Sequence, residues 1–111
     1  MHTDEDLIDA LPFLESLIGP MTFGRFLRVW REHNEWSQVE AAKKIHITKS
    51  TLCDFEKGRR LVSVDQARRM AKALGASEIM AVTYCLEDQL RRAKLPRWRV
   101  RIEEEKATKA A

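Results

Sequence analysis

The chain has 111 residues, enough for one domain with a modest core and some extra chain at the ends. With 44% hydrophobic and 33% charged residues it has the balance of a soluble globular protein, and no apolar run reaches the length of a membrane span. The net charge of +3 hides an asymmetry: residues 1–24 hold five acids and no Lys or Arg, so all 20 basic residues face the other 12 of the 17 acids, a net of +8 that suits a polyanionic partner.

The acidic opening is neither a secretory signal nor a transit peptide, so a cytoplasmic location is expected. Cys53 and Cys85 stand in no metal-like spacing and read as reduced thiols, packed or partly exposed. Residues 1–20 form an acidic, apolar arm. Leu7, Leu11, Leu14 and Ile18 fall at helical spacing, Pro12 argues against one continuous helix, and Gly19-Pro20 breaks the chain. A short helix over 13–18 and a loose arm are both compatible with that pattern.

The first clear helix begins at Thr22, an N-cap, and carries Phe23, Phe26, Leu27 and Trp30 as one stripe until His33-Asn34-Glu35. Ser37 and Glu40 form a capping box for a second, short helix that ends by His46, with Trp36 as a hydrophobic staple. Thr48 caps a third helix whose Leu52 and Phe55 face inward and which Gly58 ends. Its remaining side chains are almost all able to hydrogen-bond. Ser63 and Gln66 cap a fourth helix, closed by Gly75, and Ser77 starts a fifth that runs to about Lys94. After Pro96, residues 97–103 alternate basic with apolar, which is strand period; such a strand needs a partner, either a second copy across a two-fold axis or its own subunit. Residues 104–111 read as a polar tail. The expected layout is therefore an arm over 1–20, a domain over 21–76, a C-terminal helix and strand over 77–103, and the tail.

The run from Trp36 to Gly58 has an apolar-Ser-Gln start, Ala42, a tight turn at His46, Ile47-Thr48, then Thr51-Leu52 and Glu56-Lys57-Gly58. It resembles the Cro/phage-repressor helix-turn-helix family, also called XRE-like, and with the flanking helices the resemblance covers roughly residues 22–75. Two positions depart from the family: His46 stands at a turn that usually carries Gly, and Glu35-Trp36 stand where Gly and a smaller apolar residue are common. The resemblance implies an all-α, five-helix, lambda-repressor-like domain, to which the sequence adds the short C-terminal β-strand.

By position in the family, Lys49, Ser50 and Asp54 face base edges. Lys49 can donate to guanine, Ser50 can donate or accept, and Asp54 can accept from cytosine N4. Thr48 and Thr51 are candidates for thymine methyl or phosphate contacts, and Cys53 shares their surface. Gln38 sits at a helix start that attracts phosphate, where the resemblance also puts a backbone contact. Ser37 divides its hydroxyl between cap and phosphate or serves as cap alone. Lys57, Arg59 and Arg60 are further phosphate candidates, and Arg31 with Glu56 is expected as a structural ion pair. For each DNA candidate the plain alternative is a solvated polar face.

Enzyme readings fare badly. His2, His33 and His46 have no metal-ligand spacing, there is no G-x-S-x-G, and four glycines build no phosphate loop. No metal or cofactor is expected. The reading is a transcriptional regulator, chiefly a repressor, that binds double-stranded operator DNA as a homodimer near the nucleoid. Leu86, Leu90, Trp98, Val100 and Ile102 are the candidate dimer contacts. The alternative is an antitoxin whose acidic arm binds a basic toxin while the domain represses its own operon.

Overall fold

A computed structural model describes residues 19–105, and each of the five helices in that span begins at a hydroxyl. The helices are α1 (Phe23–His33), α2 (Gln38–Lys44), α3 (Lys49–Glu56), α4 (Val64–Leu74) and α5 (Glu78–Arg92). The side chains of Thr22, Ser37, Thr48, Ser63 and Ser77 accept the amides of Arg25, Glu40, Thr51, Gln66 and Met80. Each cap satisfies one of the amides that a helix start leaves without a partner, worth about 1 kcal/mol apiece. Glu40 and Gln66 return the bond to the Ser37 and Ser63 amides and complete two capping boxes.

The helix exits are sharp because left-handed residues stand at them. Gly58 and Gly75 have φ of +72° and +70°, where glycine carries no penalty. Glu35 and His46 occupy the same region at φ +58° each, so both family departures sit at positions where a Cβ is strained.

The core is built from the stripes. Phe23, Phe26 and Leu27 of α1 meet Leu52 and Phe55 of α3, and Ala67, Met70, Ala71 and Leu74 of α4 lie against Met80, Ala81, Tyr84 and Cys85 of α5. Phe26 joins the two halves through the Tyr84 ring, with centroids 5.5 Å apart. Trp30 Nε1 donates to the Leu74 carbonyl at 2.8 Å, which fixes the end of α4 on α1. Asp88 of α5 accepts the Phe23 amide at 3.0 Å, a carboxylate at the positive end of α1.

The helical expectations hold to within the last turn: α5 ends at Arg92 rather than near Lys94, which has φ +64°. The C-terminal strand is a correction. No strand forms among the described residues, and residues 98–105 are irregular. A strand needs a row of backbone partners, and here the Val100 amide instead donates to the Glu87 carboxylate at 3.1 Å. Glu87 is 5% exposed, a buried acid on α5 that Arg99 also approaches at 3.6 Å. The arm before Gly19 and the tail after Glu105 lie outside the described residues. No helix among the described residues is long and apolar enough to cross a membrane.

Gly24 is buried inside α1, where a Cβ would lie 2.2 Å from the Phe55 carbonyl oxygen and 2.8 Å from that of Glu56. Gly→Ala within a helix ordinarily gains about 1 kcal/mol. Here the sign should reverse, with Gly24→Ala costing about 2–3 kcal/mol through forced backbone movement; an unchanged urea midpoint would refute the close approach. The two thiols should also separate by reactivity. Cys85 is 2% exposed, its Sγ donates to the Val62 carbonyl, and burial pushes its pKa up, with Asp88 adding to the shift. Under native conditions a thiol reagent should modify Cys53 and reach Cys85 only on unfolding; equal rates for both would contradict the packing of α5.

Candidate nucleic-acid interface

An eight-residue helix is too short to be stable alone, and α3 is held by its neighbours. Leu52 and Phe55 are its buried anchors. Lys49 and Ser50 are exposed, and Thr51, Cys53 and Asp54 are half-buried along the same outer side. Thr48 is committed at the helix start, where its Oγ1 accepts the Thr51 amide at 3.1 Å and lies 2.9 Å from the Thr51 hydroxyl. The Asp54 carboxylate has Arg59 3.8 Å away, so an acid on the outer side of α3 has a neighbouring cation.

The turn between α2 and α3 is set by His46 and by the Ile47 amide, which donates back to the Ala42 carbonyl at 3.0 Å. Small side chains at Ala41 and Ala42, both buried, let α2 pack closely. Trp36 is half-buried against the core, with Lys44 Nζ 4.6 Å above its ring.

Arg31 and Glu56 come together from α1 and α3. Arg31 Nε lies 2.8 Å from Glu56 Oε2 and its Nη2 3.0 Å from Oε1, a two-pronged pair with side chains 14% and 5% exposed. The hydrogen bond to Glu56 raises the Arg31 pKa above its already high ordinary value, so the guanidinium stays charged. Its Nη1 also donates to the Trp36 carbonyl at 3.2 Å, tying in the loop before α2. Glu56 Oε1 takes a further bond, from Gln38 Nε2 at 3.3 Å. Gln38 thus has one amide N–H fixed, half-buried at the start of α2 beside the capping Ser37. Periodicity cannot find that contact, because the partners are 18 residues apart.

Lys57, Arg59 and Arg60 follow one another past the end of α3 and are exposed. The Arg60 guanidinium lies 5.9 Å from the Phe55 ring centroid. Arg92 of α5, which no sequence pattern marks, reaches this loop: its Nη2 donates to the Gly58 carbonyl at 3.4 Å. Leu86, Leu90, Val100 and Ile102 are half-buried on the subunit itself, and Trp98 is 61% exposed. No group of three or more His, Cys, Asp or Glu among the described residues is arranged to hold a metal ion.

A short helix with a polar outer face, fixed across a tight turn from a second helix and braced by a third, defines the helix-turn-helix class. The family model described as a helix-turn-helix domain matches residues 22–82, more than half of the chain, and the protein belongs to that family. DNA binding is the activity that membership supports. Neither the curated proteins nor the solved structures yield a match to the chain.

The two arginine pairs on α1 should behave differently. Arg31→Ala leaves the Glu56 carboxylate buried without its cation and should cost about 3–5 kcal/mol. Arg28→Ala breaks only the exposed pair with Glu32 and should barely move the denaturation midpoint. Equal shifts for the two variants would show that Arg31 is not the brace.

Proposed function

We propose that this protein is a sequence-specific regulator of transcription, acting as a repressor, that reads the major groove of double-stranded DNA with α3 as a homodimer. The observation that carries the reading is the division of α3 into a buried anchor, Leu52 and Phe55, and an outer side of Thr48, Lys49, Ser50, Thr51, Cys53 and Asp54. The major groove is about 12 Å wide and admits one helix, and donors and acceptors on that helix discriminate bases. Lys49 is the donor for guanine O6 and N7, Asp54 the acceptor for cytosine N4, and Ser50 serves either role. Ser37, Gln38, Lys57, Arg59 and Arg60 fix the register on phosphates at the two ends of the motif. Gln38 is prepared for this, because Glu56 already orients its amide.

One short reading helix gives little discrimination, so two copies share a site with half-site centres about 34 Å apart. Leu86, Leu90, Trp98, Val100 and Ile102 are the proposed contacts between them, with Trp98 the most exposed large apolar side chain among the described residues. Repression then follows from occupancy of the operator.

Selection of the purified protein against a randomised duplex pool at about physiological salt tests this directly. The expected result is a two-fold symmetric consensus in which Lys49→Ala and Asp54→Ala each relax one position, by about 1–3 kcal/mol of discrimination. Binding with no consensus would reduce the protein to an electrostatic binder. No binding at all would put a protein partner first, and a monomer in sedimentation with and without the selected duplex would remove the dimer.

A further inference from the structure

Two arginines from distant parts of the chain share one groove. It lies between the loop after α3 and the flank of α5, encloses about 160 Å³, and has Phe23, Phe55 and Cys85 among its lining, with Gly58, Arg60 and Arg92. Many arginines of the domain are neutralised locally. Arg31 pairs with Glu56, Arg68 and Arg69 with Asp65, and Arg91 with Asp88, while Arg59 meets Asp54 only loosely at 3.8 Å. Arg60 and Arg92 have no carboxylate partner among the described residues. Arg60 rests over the Phe55 ring, and Arg92 uses one N–H on the Gly58 carbonyl. The one acid in the groove, Asp88, is already committed to the Phe23 amide and to Arg91. A guanidinium has five N–H donors in a fixed fork that matches a phosphate. The groove therefore presents two unneutralised forks over an apolar floor, directly beyond the C-terminal end of the reading helix.

We infer that Arg92 of α5 is a phosphate contact of the DNA interface, closing with Arg60 on one backbone phosphate beside the half-site. The inference rests on the proposed reading of α3 and extends it to a helix outside the two-helix motif. Its occupant is the DNA backbone because the groove is continuous with the end of α3, and the strand flanking a helix in the major groove passes beyond that helix's end. The Gly58 carbonyl holds Arg92 in place beforehand, so little side-chain freedom is lost on binding.

The test is the salt dependence of binding to the selected duplex for the full chain and for Arg92→Gln, Arg92→Lys and Lys49→Ala, each checked for its native helix content. Arg92→Gln should make the slope of log K against log salt shallower by about 0.9 per subunit, and should weaken binding about fivefold per subunit at physiological salt with the consensus unchanged. Arg92→Lys should restore most of the slope. If Arg92→Gln matches the parent in slope and affinity while Lys49→Ala loses base preference, the contact is wrong and the reading of α3 stands. If Arg92→Gln and Arg92→Lys weaken binding equally with the slope unchanged, Arg92 only braces the loop and the inference fails. If the parent chain selects no duplex, the underlying reading falls and the inference falls with it.

Discussion

The close approach of α1 to the last turn of α3 is the constraint on which the interface depends. Eight residues do not sustain a helix by their own hydrogen bonds, so α3 exists as a shaped surface only where the rest of the chain holds it. Gly24 removes the one side chain that would keep the Phe55 and Glu56 carbonyls away from α1. That contact brings Arg31 within reach of Glu56, and Glu56 in turn holds Gln38 at the head of α2. One missing Cβ on α1 is thus propagated, through an ion pair and an amide, to a donor on the far side of the turn. Cutting the pair at Arg31 costs more than a surface ion pair because the Glu56 carboxylate would remain buried with only Gln38 beside it.

The cations of the domain are unequally neutralised. On α4, two cations are cancelled close to home: Asp65 takes both Arg68 and Arg69 and is held below the usual carboxylate range by them, Arg69 first. Lys49, Lys57, Arg60 and Arg92, on and around α3, meet no carboxylate among the described residues, and Arg59 meets one only at 3.8 Å. The net charge of +3 therefore understates the local field there. A polyanion approaching from afar meets uncancelled guanidinium and ammonium groups around α3, whose own outer side carries hydroxyls and the Asp54 carboxylate as well as Lys49. On the proposed reading, Lys57, Arg60 and Arg92 supply attraction alone while Lys49 serves both attraction and discrimination, so most phosphate contacts set register without dictating sequence.

The helical part of this arrangement is legible in the sequence because its signals are local. Each helix start is written as a hydroxyl three residues before the amide it caps, and the exits at Gly58 and Gly75 are single left-handed residues. The turn at His46 is legible too, since the family pattern marks where glycine belongs, and the backbone there does have positive φ. What escapes are the contacts made across the fold by residues that neither periodicity nor the family pattern marks. Asp88 caps α1 from 65 residues away, Arg92 reaches Gly58 across 34, and Glu87 is an acid buried on α5. Nothing in the spacing of a charged residue tells whether it is solvated or spent on a distant amide. The sequence therefore marks the polar outer positions of α3 and the Arg31–Glu56 pair, and leaves the contact of Arg92 with Gly58 unmarked.

The C-terminal segment shows the same limit from the other direction. Alternation at Trp98, Val100 and Ile102 says which side chains share a face if the backbone is a strand, but not what the backbone pairs with. In this chain the Val100 amide has a carboxylate, and the three apolar residues are unequally covered, Trp98 at 61% exposure and the others half-buried. Strand pairing between two copies through the edge that carries that amide would take the N–H from Glu87, which is 5% exposed and has little water to replace it. Leaving such a group short of a hydrogen bond costs about 1–3 kcal/mol or more for a charge, at each of the two symmetric positions. Association through side chains, Trp98 of each copy against the uncovered parts of Leu86 and Leu90, leaves the Glu87 bond in place and covers apolar surface that the subunit itself only partly covers. For the homodimer proposed above, the geometry of a single subunit thus favours copies that meet by packing over copies that share that backbone edge.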